Sequence, residues 1–192
     1  MPRAVLTAAA RDPRGVYPRL AVVALLRDRR GRWLLVRTCH DPSRWAPVGG
    51  RVESGETLAG ALRRELQEEV GLEACILAPC YAALVNHKSE ATLAVSLAAS
   101  LAATTLSDAI VEGLAVGEKT PGDERVSKGL DGEVLDGEVL DVAWFTREEW
   151  VELARRGRTP WRAADVLRGT LLADTLIDSP AAAQDLTGEG GG

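Results

Sequence analysis

The sequence predicts an α/β fold, and three observations carry that reading. Short β-type runs at residues 20–26 and 33–38 precede a glycine-rich stretch at 47–50. That stretch leads into an amphipathic segment at 57–70, built of good helix formers without an interior proline and closed by Gly71 at the place of a left-handed cap. Further β-type runs follow, and apolar residues at helical spacing return at 150–156 and 161–177. Strands feeding a loop–helix–strand unit, with later helices to cover the sheet, make an α/β sandwich. A chain of 192 residues with 46% hydrophobic content is long enough for one core and too short for two.

In chain order, residues 1–18 read as an N-terminal arm. Their apolar run, 4–10, is short for a secretory signal. The two β-type runs that follow are joined by Arg27-Asp28-Arg29-Arg30-Gly31-Arg32, a charged turn with glycine near its tip, and read as a hairpin. Asp41-Pro42-Ser43-Arg44 breaks the second strand, and Trp45 is placed beside the glycine loop. After Gly71, residues 74–85 read as a strand with a turn around Pro79. Residues 91–101 fit either a helix, by their alanines, or a strand, by partial alternation. The uncharged stretch 91–107 falls short of the roughly 20 apolar residues of a membrane span.

From 104 to 137 the composition turns to glycine and charge, which marks an insertion. Within it Asp131-Gly132-Glu133-Val134-Leu135 is repeated at once as Asp136-Gly137-Glu138-Val139-Leu140. A strand cannot absorb five extra residues without reversing its inward and outward faces, so one copy must loop out. The second copy is the structural one, because it continues as the alternating Asp141-Val142-Ala143-Trp144-Phe145 and reaches Thr146, a helix N-cap. Leu167, Leu171 and Leu172 belong to the helices expected to cover the sheet. The tail, 179–192, has little to bury. The domain is therefore 19–178.

The helix at 57–70 concentrates the chemistry. At about 100° per residue, Leu58, Leu62, Leu66 and Val70 form one apolar stripe. Glu65 and Glu69 lie within about 20° of Leu58 and Glu68 about 80° to its other side, whereas Arg63 and Gln67 point away. Carboxylates beside a core repel one another and lose hydration, so they call for a cation. Oxygen-only donors at i, i+3 and i+4 suit a hard divalent ion, magnesium or manganese. The preceding Pro47-Val48-Gly49-Gly50 and Glu53-Ser54-Gly55-Glu56 let backbone approach a metal or phosphate closely.

Gly50, five residues, Glu56, seven residues, then Arg64-Glu65-Leu66-Gln67-Glu68-Glu69-Val70-Gly71-Leu72 resembles the complete signature of the Nudix hydrolases. The resemblance spans residues 20 to about 153 and is strongest over 45–72. It implies the Nudix fold, a mixed β-sheet sandwiched between helices. It implies Mg2+ or Mn2+ held by the Gly50 carbonyl with Glu65, Glu68 and Glu69, the last three being catalytic. It gives Glu56 and Arg64 a different role, a salt bridge that fixes the loop on the helix. The implied reaction splits the diphosphate linkage of a nucleoside diphosphate joined to a group X. The general base is one of the three glutamates or a loop glutamate, Glu118, Glu124 or Glu133. Arg37, Arg51 and Trp45 are candidate substrate contacts. A Nudix-fold module that senses a nucleotide without hydrolysis is the alternative.

A net charge of −5 gives no broad positive field for duplex nucleic acid or an anionic membrane. Three cysteines, Cys39, Cys75 and Cys80, lack zinc spacing and read as reduced thiols, which points to the cytoplasm. The two histidines, His40 and His87, are too few for a histidine metal site. The partner expected is a small nucleotide diphosphate derivative, with homodimerisation left open. No subgroup mark follows the signature: His87 stands about where ADP-ribose-cleaving members carry a proline, and no tyrosine of the dinucleoside polyphosphate cleavers appears there. Aromatics make up only 4% of the chain, so Trp45, Tyr81, Trp144 and Phe145 are the available stacking platforms.

Overall fold

Alternation along the strands builds a sheet with two apolar faces. In the computed structural model, which describes residues 18–87, 90–101 and 138–179, the elements run β1 (Arg19–Arg27), β2 (Trp33–Thr38), β3 (Asp41–Ala46), β4 (Gly49–Arg51), α1 (Leu58–Val70), β5 (Ala74–His87), β6 (Glu90–Leu101), β7 (Val139–Phe145), α2 (Arg147–Arg155) and α3 (Ala163–Ile177). Among the described residues the seven strands form one mixed sheet in the order β3-β2-β1-β6-β5, with β4 on β1 and β7 on β2. β1 and β6 pair in parallel and every other pair is antiparallel.

On one face Ala24, Leu26, Leu34, Val36, Ala99 and Trp144 pack against Leu62, Leu66 and Val70 of α1. On the other, Leu25, Trp33, Leu35, Ala98 and Phe145 pack against Trp150 and Val151 of α2 and Val166 and Ala173 of α3. Neighbours in sequence thus serve opposite layers, as a period of two requires, and the sheet lies sandwiched between helices. Each fully buried leucine contributes roughly 1.5–3 kcal/mol. Among the described residues no helix is long and apolar enough to cross a membrane.

Several local expectations need correction. The β1–β2 hairpin is splayed: the strands register only at Arg27↔Trp33, then part so that β1 takes β4 and β6 while β2 takes β3 and β7. Its turn is held by Asp28, whose carboxylate accepts from the Arg30 and Arg32 amides and from Arg32 Nε, at 2.9, 2.7 and 2.7 Å. Asp41–Arg44 does not break the sheet but forms most of β3, after a turn at Cys39-His40. Pro42 is tolerated because β3 is an edge strand. That edge is pinned by two contacts with the loop after α2, Trp45 N to the Arg158 carbonyl at 2.8 Å and Arg158 Nε to the Ser43 carbonyl at 2.7 Å. Pro79 likewise does not turn the chain. It sits in the long edge strand β5, whose register with β6 shifts at Ile76/Ala78 and Pro79/Tyr81. The ambiguous alanine-rich run is a strand, β6, because its alternate residues feed both layers.

Leu167, Leu171 and Leu172 do not cover the sheet and are 41%, 54% and 47% exposed. α3 instead presents small residues, Val166, Gly169, Thr170 and Ala173. Trp161 sets this rotation, since a Cβ on Gly169 would stand 3.0 Å from its ring. Arg27 binds Asp174 and Asp178, and Arg147 binds Asp174, which fasten the same helix at its C-terminal end.

The second pentapeptide copy enters β7 at Val139, in line with the expected register. The first copy, the 104–137 insertion, Glu118, Glu124 and Glu133, the arm before Pro18 and the tail after Ser179 lie outside the described residues.

Candidate active site

α1 begins where Thr57, in extended conformation, accepts the Gly60 amide, and it ends at Gly71 with φ 65°. There the Leu72 amide reaches back to the Leu66 carbonyl at 3.2 Å. These caps fix the rotation of the helix. Leu62, Leu66 and Val70 enter the core, Arg63 and Gln67 face solvent, and the glutamates fall along one border.

β4 brings the glycine loop to that border. Its register on β1 pairs Gly49 with Val23 and Gly50 with Val22. A Cβ on Gly49 would stand 2.2 Å from the Val22 carbonyl oxygen, and a Cβ on Gly50 would stand 2.2 Å from Glu65 Oε1. Both glycines are therefore demanded by close approach, and Gly50 is the reason Glu65 can reach the loop.

Arg64 ties the pieces together. Its Nε and Nη2 donate to the two oxygens of Glu56 at 2.9 and 3.1 Å, and Nη2 also donates to the Arg51 carbonyl at 3.0 Å. Glu56 in turn accepts the Glu53 amide at 2.9 Å. The guanidinium contact holds the Glu56 carboxyl down to about 2. Nη1 of Arg64 points the other way and donates to Glu65 Oε1 at 2.8 Å and Glu68 Oε2 at 3.1 Å.

Glu69 is the electrostatic centre. Burial pushes its carboxyl up to about 8, the charge of Glu65 adds to the shift, the Gly49 amide opposes it, and Glu138 and Glu68 raise it further. Its Oε2 is buried without a hydrogen-bond partner. Glu138 is not among the site residues that the sequence suggests. It is an exposed turn residue just before β7, and its carbonyl accepts the Cys39 amide at 2.7 Å. The signal available was its place at the head of the alternating run.

The candidates do not all converge. Glu65 is nearly buried and Glu68 is half exposed, so only two of the three helix glutamates are sheltered, Glu65 and Glu69. Arg51 is exposed beside Gly50. Arg37 is turned to Asp141 at 2.7 Å and stacks over Trp45 at 5.0 Å. Trp45 lies edge-on to Phe145 at 4.9 Å, not beside the glycine loop, because its side chain belongs to the layer under α2 and α3. His40 is an exposed turn residue 3.7 Å from Cys39 Sγ.

Among the described residues no three Asp, Glu, His or Cys side chains are already drawn into a ligand set. Glu65 and Glu68 lean on Arg64 instead. The donors nevertheless fit a hard divalent cation: an orphaned buried carboxylate oxygen on Glu69, the carboxylates of Glu65 one turn before it and of the adjacent Glu68, and a glycine loop with no Cβ to obstruct it.

Comparison with known proteins bears on the family and the fold. A family model described as NUDIX domain matches residues 17–167. A nucleoside triphosphatase, NudI, of Escherichia coli O139:H28 is 44% identical over 54 residues, which are 26% of this chain and 38% of that protein. The alignment thus spans well under half of the curated relative. A MutT protein from Methanosarcina mazei Go1 matches with a TM-score of 0.55 at 17% identity, over 84% of this chain and 97% of that one. A NUDIX-family hydrolase from Clostridium perfringens gives 0.54 at 16% identity, over 84% and 99%. These structures share the fold.

Proposed function

The chain belongs to the Nudix family, and from that premise we propose that it is a divalent-metal-dependent pyrophosphohydrolase. It acts on the phosphoric anhydride bond of a nucleoside diphosphate joined to a group X and releases the nucleoside monophosphate and phosphorylated X. The observation that carries this reading is the Glu69 carboxylate, buried with one oxygen unpartnered and raised by burial and by the charges of Glu65, Glu138 and Glu68. Such a centre is costly unless a cation and an anionic substrate complete it.

Glu65, Glu68, Glu69 and the Gly50 carbonyl would hold the ion. Magnesium or manganese bound there would supply neutralisation of phosphate charge and a more acidic water. Glu138 stands at the rim, exposed, and takes the proton from the attacking water. The water oxygen forms a new bond to one phosphorus, the bridging P–O bond breaks, and the leaving phosphoryl oxygen keeps the electron pair. Arg64 and Glu56 keep the glycine loop seated on α1 while this happens. Arg51, one residue beyond Gly50, contacts phosphate. The working unit is the single domain at 19–178.

NudI is named a nucleoside triphosphatase, and a triphosphate is the simplest substrate of this kind, with a phosphate as X. The test is a panel of nucleoside triphosphates, nucleotide sugars, ADP-ribose and dinucleotides with Mg2+, read as phosphate after phosphatase coupling. Release of a monophosphate from at least one class supports the proposal. A fully folded protein that binds nucleotides but turns over no member of the panel overturns it in favour of a sensing module.

A further inference from the structure

We propose that Arg64 sets the cation affinity of the carboxylate centre as a competing positive charge, in addition to clamping the glycine loop. The proposal rests on the metal reading above. Its basis is the division of labour within one guanidinium. Nε and Nη2 serve the loop, through Glu56 at 2.9 and 3.1 Å and the Arg51 carbonyl at 3.0 Å. Nη1 serves the centre, bridging Glu65 Oε1 at 2.8 Å and Glu68 Oε2 at 3.1 Å.

Two of the three carboxylates offered to the cation therefore already share a positive charge, while the third, Glu69, carries an orphaned oxygen. The shared contact is sheltered, with side-chain exposures of 26% for Arg64 and 12% for Glu65, so solvent screens it only partly. A divalent ion entering among these carboxylates meets a fixed cation that neutralises part of its ligands and repels it. The same guanidinium positions those ligands through a planar fork that a point charge cannot reproduce. Arg64 is thus a positioning residue whose charge weakens cation binding even as its geometry organises it.

A purely structural clamp and a competing charge predict opposite signs. Mn2+ alone is titrated into the full chain near neutral pH without nucleotide, free Mn2+ is read by electron paramagnetic resonance, and thermal melts report folding. Arg64→Gln removes the charge, and its Kd for Mn2+ falls on the order of tenfold or more, as expected for loss of a partly screened unit charge repelling a divalent ion. Glu56→Gln weakens the clamp but keeps the guanidinium beside Glu65 and Glu68, so its Kd stays level or rises. An Arg64→Gln Kd equal to or above the wild-type value overturns the proposal. Should that variant fail to melt cooperatively, Arg64→Met decides on the same terms: it keeps the alkyl stem without the charge, so a Kd below wild type supports a charge effect and a Kd equal to or above it overturns the proposal. Wild-type protein that binds no Mn2+ removes the metal reading itself, a result distinct from binding that Arg64→Gln fails to tighten.

Discussion

Replacing Glu69 by Gln should stabilise the chelated protein while abolishing its chemistry, and the size of the effect follows from the burial of one carboxylate. Its carboxyl is raised from the ordinary 4.5 to about 8, by burial first and by Glu65 next. A carboxylate raised in the folded state contributes stability that is fully present below the unfolded value and is lost as pH climbs through the folded one. The window is therefore pH 4.5 to 8. At 1.36 kcal/mol per unit the nominal loss is about 5 kcal/mol, and relaxation and water entry around a partly open site reduce it to roughly 2–3 kcal/mol. Gln keeps the shape and carries no charge, so the variant escapes the loss. With excess chelator, the melting temperature of Glu69→Gln should exceed that of wild type by about 4–12 °C at pH 8.5, at 2–4 °C per kcal/mol for this size. The gap should close toward pH 4.5. Mg2+ should raise the wild-type melting temperature most at the alkaline end and leave Glu69→Gln nearly unmoved. Parallel melting curves for the two proteins across the whole pH range in chelator would refute the reasoning.

Three further outcomes follow from the site. Gly50→Ala places a Cβ 2.2 Å from Glu65 Oε1, so Glu65 must swing away; turnover should fall by about 10²-fold or more while circular dichroism shows a native fold. Glu68→Gln should lower turnover by orders of magnitude, whereas Glu53→Gln, which alters an exposed side chain outside the cluster, should be mild, and steady-state kinetics at saturating Mg2+ decides between them. Glu138→Gln should reduce kcat by about 10²- to 10⁴-fold with KM little changed, as expected for loss of a general base; an unaltered kcat would return that role to Glu69 or to a loop glutamate.

The helix was the most legible part of the chain because every local signal agreed. Its periodicity, its helix formers and its closing glycine are all features of residues close together in sequence. Strand positions were legible from alternation, but partners were not, since alternation gives a strand its faces and says nothing of its neighbours. Hence β1 and β2 read as a simple hairpin, although β6 supplies the long parallel partner of β1. Pro42 and Pro79 read as breaks because their places on the two sheet edges depend on the whole topology. Leu167, Leu171 and Leu172 were misjudged because hydropathy ranks leucine above glycine, whereas packing beside Trp161 selects the small face of α3. In the site, Glu65, Glu69, Gly50 and the Glu56–Arg64 pair stand where motif spacing put them. Trp45 does not stand beside the glycine loop, because Phe145, about a hundred residues away, holds it, as Asp141 holds Arg37. Glu138 escaped notice for the same reason, since only the pairing of β7 with β2 brings it toward α1.

The most direct test of the account is the product identity for a nucleoside triphosphate with Mg2+, followed by phosphorus nuclear magnetic resonance for wild type and Glu69→Gln. The account predicts nucleoside monophosphate and pyrophosphate in equal amounts from wild type, and turnover lower by orders of magnitude in Glu69→Gln at full Mg2+. Release of nucleoside diphosphate and orthophosphate, or equal rates from the two proteins, would contradict it.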